Sequence, residues 1–193
     1  SAHNDALSLM EKFWWHASCT GMIAKSLSTK LDKFFKENEF IGGLLHDIGK
    51  LAMIQYNAHD YQRVVELVES GSIDVDAEMN VFGTTHVEVG AEIAKLWKLP
   101  PELTTIITYH HNPSAAPQFK ELVSAVRIPD MLSEVWGAGF YEGIRSLNIE
   151  TSEPWLVLAD AYPELNDLDL EIFTFELETD FKKSSEFLSI IRD

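Results

Sequence analysis

Positive charge is scarce in this chain of 193 residues: 15 Lys and Arg stand against 31 Asp and Glu, a formal net charge of −16. The only adjacent cations are Lys182-Lys183. Affinity for phosphate backbones and anionic bilayers comes from clustered Lys and Arg, so no nucleic-acid partner and no membrane partner are expected. A small phosphorylated ligand held through a metal stays open. Cysteine is nearly absent too. Cys19 alone cannot form an internal disulfide, which fits a reducing, cytoplasmic compartment, and its apolar neighbours give it a packing role. No apolar run approaches the ~18 residues of a membrane span, and the start lacks the pattern of a secretory leader. Strand-like alternation, internal repeats and low-complexity tracts are also missing. A chain of this length buries about 70% of its unfolded surface, so its core needs neither disulfide nor structural metal, and a metal here would point to function.

What is present is helical spacing, and the fold class it predicts is all-α. Met10, Phe13, Trp14, Ala17, Gly21, Ala24, Leu27 and Leu31 recur at three- and four-residue steps and predict a helix over 5–31. Because that helix opens the chain with nothing before it, the sequence reads as a piece of a longer protein. A second helix is expected over 39–55, with Phe40, Leu44, Ile48, Leu51 and Ala52 inward and a Gly42-Gly43 pair that suggests close approach of another backbone. A third carries Tyr61, Val64, Val65 and Val68 and stops at Ser70-Gly71. Thr84 or Thr85 caps a fourth with Val89, Ile93, Ala94 and Trp97 inward, and Pro101 opens a fifth that ends at Asn112-Pro113. A sixth segment runs from Pro117 to about Ala138, kinked or split at Pro129. Residues 142–193 hold 13 acidic and 4 basic residues, a local net charge of −9. Two further helices are expected there, around Trp155–Tyr162 and Phe173–Ile191. The domain reading is therefore a helical domain over 1–140 with an acidic helical extension, 141–193, packed on it.

The chemistry lies in the histidines. His46-Asp47 sits inside the apolar stretch Leu44-Leu45-His46-Asp47-Ile48-Gly49-Lys50, where burial is unfavourable unless the pair has partners or binds a metal. The dipeptide alone is weak evidence, since 7 His and 12 Asp predict about 0.4 such pairs by chance. His59-Asp60 is a second, in a polar stretch, and reads as solvated surface. The first pair gains weight from its company: His16 interrupts an aromatic run, His86 begins the fourth helix, His110-His111 ends the fifth, and Asp130 follows Pro129. Five imidazoles and two carboxylates suit Zn, Mn, Fe or Ni, whereas Ca and Mg prefer oxygen alone.

The order His, His-Asp, His, His-His, Asp resembles the HD superfamily of metal-dependent phosphohydrolases. Phe13-Trp14-Trp15-His16-Ala17-Ser18, Gly43–Lys50, Thr85-His86-Val87-Glu88-Val89-Gly90-Ala91, Trp97-Lys98-Leu99-Pro100 and Tyr109-His110-His111-Asn112-Pro113 are similar to the HDOD branch, bacterial signal-transduction output modules related to the HD-GYP phosphodiesterases. The likeness covers roughly residues 8–140 and implies an HD-like helical bundle with a divalent transition metal site of one or two ions. By that resemblance His16, His46, Asp47 and Asp130 hold one ion, and His86, His110 and His111 a second, with Asp47 bridging.

If the resemblance extends to catalysis, Asp47 and Lys50 are the catalytic residues: two metals about 3.5–4 Å apart activate water for in-line attack on a phosphoester, and Lys50 neutralises the transferring phosphoryl group. The plainer reading of Lys50 is a solvated cation near a helix end. Where Gly-Tyr-Pro would follow the paired histidines of an HD-GYP enzyme, this chain has Asn112-Pro113-Ser114-Ala115-Ala116-Pro117, which argues against cyclic-dinucleotide hydrolysis. Three functions follow: a regulatory output module working through a signalling protein partner or sensory domain, a metallophosphohydrolase, and a metal-free interaction scaffold.

Overall fold

The computed structural model describes residues 2–192 and, among them, is built from ten α-helices. The first, α1 (Ala2–Lys30), is the spine. Phe13, Ala17, Ala24 and Leu27 are wholly buried along one face of it. Trp14 is not, because it lies about 100° round the helix from Phe13 and is 45% exposed.

The helix expected over 39–55 is two helices, α2 (Asn38–Leu45) and α3 (Ile48–Tyr56), broken at His46-Asp47. His46 still donates its N–H to Gly42 O, but Asp47 takes φ −98° and ψ 16°, and the Lys50 N–H bonds back only three residues, to Asp47 O. Both polar side chains of the turn are buried. The glycine pair does mark close backbone approach. A Cβ on Gly43 would stand 2.5 Å from Gly21 Cα, so α1 and α2 touch main chain to main chain, whereas one on Gly42 would meet the Ile106 side chain.

After α4 (Ala58–Glu69) comes a helix that periodicity did not predict, α5 (Asp74–Phe82). It is short, four of its nine residues are polar, and its buried positions, Asp74, Ala77 and Glu78, include two acids. Thr85 caps α6 (His86–Leu96) in a reciprocal capping box with Glu88, which fixes His86 as the first helical residue. Trp97, expected inward, follows the helix end and is 59% exposed. Gly49 of α3 lies directly against this start: a Cβ there would fall 1.9 Å from His86 O. We therefore expect Gly49→Ala to cost about 3 kcal/mol, the upper end for overpacking, visible as a lowered midpoint in urea unfolding.

Pro101 opens α7 (Pro101–Tyr109), and α8 (Lys120–Val135) follows as the central helix, buried continuously from Leu122 to Ser133. It runs through Pro129 without splitting, and the Pro129 carbonyl is taken up by the Ser133 hydroxyl at 2.8 Å. Residues 136–152 cross the bundle without a helix before α9 (Glu153–Ala161) and α10 (Leu170–Arg192). Trp155, Leu158, Phe173 and Leu177 share a cluster with Leu27 and Leu31 of the α1 end and Ala125, Ile128 and Leu132 of α8. Further along α10, Phe181 is buried while Ile191 is exposed. Cys19 is buried beside Ile23, Ala138 and Phe181, and burial pushes its thiol up to about 12, as suits a packing residue. No helix among the described residues is long and apolar enough to cross a membrane.

Candidate metal centre

The seven residues singled out from the sequence converge. His16 comes from the middle of α1, His46 and Asp47 from the α2–α3 turn, His86 from the first position of α6, His110 and His111 from the end of α7, and Asp130 from α8. Six of them are buried, and His111 keeps 23% of its side chain exposed. Four histidines are oriented alike. Nδ1 lies 2.9 Å from Ala138 O in His16, 2.8 Å from Gly43 O in His46, 3.0 Å from Ile107 O in His110 and 2.7 Å from Glu78 Oε2 in His86. Each Nδ1–H donates outward, which leaves every Nε2 facing the interior, the arrangement by which outer partners orient imidazoles on a metal.

Two groups of atoms form inside. Asp130 Oδ1 lies 3.1 Å from His16 Nε2 and 3.3 Å from His46 Nε2, and Asp47 Oδ2 lies 3.8 Å and 3.5 Å from the same two nitrogens. Asp47 Oδ1 faces the other way, 3.2 Å from His86 Nε2 and 3.3 Å from His110 Nε2, and His111 Nε2 is 3.0 Å from His86 Nε2. Ligands held about 2.0–2.1 Å from one ion stand roughly 3.0–3.4 Å apart, so most of these spacings fit a shared cation. His16 Nε2, His46 Nε2 and Asp47 Oδ1 are also buried without a hydrogen bond, which is costly unless something else sits among them.

Charge makes the same point. Five buried carboxylates, Asp47, Asp74, Glu78, Asp130 and Glu142, surround the histidines with two buried cations, Lys50 and Arg127. Burial alone would lower the pKa of His16, but Asp130 and Asp47 overcome it and raise it to about 9. Glu78 and Asp47 do the same for His86, raising it to about 10. Burial and His111 push His110 down to about 3, so it stays a neutral donor. Asp47 and Asp130 are held well below the usual carboxylate range, against the effect of burial, by Lys50 and the histidines around the first and by His46, His16 and Arg127 around the second. Without an ion, protons on His16 and His86 supply the missing positive charge. The donor set fits divalent transition metals, and binding one must displace those protons.

Lys50 is not a solvated cation. It is 1% exposed, and its Nζ lies 3.0 Å from Asp47 Oδ2, 2.7 Å from Asp74 Oδ2 and 3.4 Å from Phe140 O. Its charge is matched before any ligand arrives. A third acidic group, Asp74, Glu78 and His86, also has metal-like spacing, but the Lys50 ammonium already faces it. Four contributors went unnoticed in the sequence. Asp74 and Glu78 carried a signal, two acids four apart on one helical face, and so did Arg127, three residues before Asp130 in an apolar helix. Glu142 lies in an irregular segment, where no periodicity could mark it.

The second His-Asp pair behaves as surface. His59 is exposed, and Asp60 takes part in the Asn57 cap of α4 and faces Arg63 at 3.4 Å. Changing His59 and Asp60 together to alanine is expected to leave the metal content of the protein unchanged by elemental analysis; a loss would mean that the wrong doublet had been chosen.

Comparison with known proteins bears on the family and the fold. An uncharacterized protein of Treponema pallidum (strain Nichols) is 29% identical over 126 residues, 63% of this chain, and the chain spans only 24% of that relative's length. An HDOD domain protein of unknown function from Geobacter sulfurreducens superposes with a TM-score of 0.78 at 28% identity, over 91% of this chain and 60% of the other. A candidate phosphohydrolase from Shewanella amazonensis SB2B (TM-score 0.62, 20% identity, 90% of this chain and 62% of the other) shares the fold, as does a candidate signal transduction protein from Marinobacter aquaeolei VT8 (0.70, 18%, 92% and 38%). The HDOD domain model matches residues 1–113, more than half of the chain. By that match, and with an all-α HD-like bundle to carry it, the chain belongs to the HDOD domain family.

Proposed function

We propose that the protein is a regulatory output domain of bacterial signal transduction that retains a dinuclear metal centre and works in the cytoplasm through a signalling partner or sensory domain. The observation that carries the metal reading is the split of Asp47, whose two oxygens face two separate groups of histidines, Oδ2 toward His16 and His46, Oδ1 toward His86 and His110. The regulatory part draws support from the closure of the site. Only His111 among the ligands reaches solvent, and both neighbouring cations are already paired with carboxylates.

Hydrolysis of a phosphomonoester or nucleotide is the second reading, favoured by the ligand set itself. Metal ions bound here would supply Lewis acidity and an activated water. The chain would contribute the orientation of the imidazoles through Ala138, Gly43, Ile107 and Glu78, and the exclusion of bulk water. In that case Lys50 acts by holding Asp47 in place, since its Nζ is enclosed between Asp47 and Asp74.

The deciding measurement is the metal content of freshly purified protein, followed by a phosphoester screen of the loaded form. About two Fe, Mn, Ni or Zn ions per chain without turnover is the expected outcome. Turnover would establish the hydrolase reading, and absence of metal after anaerobic reconstitution would leave a metal-free scaffold.

A further inference from the structure

A carboxylate guards the one solvent-touched edge of the cluster. Glu142 Oε1 lies 3.4 Å from His111 Nδ1, on the only proposed ligand with more than a few percent exposure. The same carboxylate is gripped by the Arg127 fork, with Nη1 2.9 Å from Oε2 and Nη2 2.5 Å from Oε1. Arg127 Nη1 also reaches Asp130 Oδ2 at 2.7 Å. A planar guanidinium that binds a carboxylate bidentately presents the same two donors to a phosphate.

The two buried cations differ in what holds their partners. Asp47 and Asp74, which face Lys50, sit at helix starts. Glu142 instead belongs to the irregular segment 138–143 and is flanked by two residues of positive φ, Tyr141 at 53° and Gly143 at 97°. Its own backbone is held by two bonds, from the Asp74 N–H to Glu142 O at 3.1 Å and from the Glu142 N–H to Glu134 Oε1 at 3.3 Å. Phe140, two residues earlier, is anchored by packing on Phe13 and Tyr61. The segment therefore has a fixed foot and a tip carried between two left-handed positions.

We propose that Glu142 is a built-in competitor: its carboxylate occupies the anion position that Arg127 and His111 would otherwise offer to inorganic phosphate or a phosphomonoester, and such an anion binds only when the 141–143 tip swings aside. The inference deepens the metal-site reading, but the cation it frees is the chain's own. It also accounts for a site with a full ligand set whose two buried cations, Lys50 and Arg127, are both already paired with carboxylates. The closed state masks the anion position, so apparent affinity is reduced by the fraction of molecules in which the tip is open.

The test is calorimetric titration of inorganic phosphate into the wild-type protein and Glu142→Gln, with metal counted in the same samples. Glu142→Gln keeps the side-chain shape and removes the charge. We expect phosphate to bind about tenfold tighter or more in the variant, and the added Arg127→Met change to abolish the gain. Equal affinity in a folded variant overturns the proposal. Should Glu142→Gln not fold, amide exchange in the wild type decides: phosphate should speed exchange at residues 141–143, and no change at saturating phosphate overturns the idea. A wild type without metal removes the dinuclear reading, while phosphate binding that depends on Arg127 would still stand.

Discussion

Asp47→Ala is expected to empty both metal positions together, taking the content from about two ions per chain to none. The reason is geometric: Oδ2 belongs to the group with His16, His46 and Asp130, and Oδ1 to the group with His86 and His110. The same change leaves Lys50 with Asp74 as its one carboxylate partner, in a place where both Lys50 and Asp47 are almost wholly buried. Removing one member of such a buried pair costs about 3–5 kcal/mol, so a lowered melting temperature should accompany the metal loss even when metal-free proteins are compared. His16→Ala distinguishes a bridge from a general collapse, because it should deplete one position and spare the other. Unchanged metal content in Asp47→Ala would remove the assignment of Asp47 as the bridge.

A chain ending at Gly143 is expected not to fold. Residues 144–193 supply Ile149, Trp155, Leu158, Leu165, Phe173 and Leu177 to the cluster that covers Ala125, Ile128 and Leu132. Without them the buried face of α8 meets water, and α8 carries Arg127 and Asp130. The milder version is Trp155→Ala. Trp155 is 3% exposed and lies 6.0 Å from Phe173, ring centre to ring centre. Its truncation should cost about 3–5 kcal/mol, as for other buried aromatics. Circular dichroism melts of both proteins, with metal analysis, check this. A cooperative melt and intact metal in the truncated chain would make the acidic segment an appendage to the domain.

Much of the fold was legible because apolar spacing and helix punctuation are local. Phe13, Ala17, Ala24 and Leu27 marked the inner face of α1, Pro101 the start of α7, and Ser70-Gly71 the end of α4. The break at His46-Asp47 was hidden for the opposite reason: apolar residues on both sides keep helical period, and the turn answers to groups distant in sequence, such as Asp130 and His86. Trp14 and Trp97 misled because size and apolarity do not specify which way a side chain at the margin of a face will turn. The ligands themselves were found as a set, since each is chemically distinctive in apolar surroundings. The groups that aim and balance them, Glu78, Asp74, Arg127 and Glu142, look like ordinary charges until the chain is folded.

One consequence of drawing ligands from α1, the α2–α3 turn, α6, α7 and α8 concerns the supply of ions. The donors span residues 16–130, so the unfolded chain offers no preformed site, and any ion bound to the native bundle stabilises it by RT ln(1 + [L]/Kd). At a free metal concentration of 100 times Kd that is about 2.7 kcal/mol per site, a substantial share of the 5–15 kcal/mol by which a typical domain is stable. Resistance of the domain to proteolysis would thus follow the free metal level around it, and the lifetime of the protein would record that level whether or not any phosphoester is ever turned over.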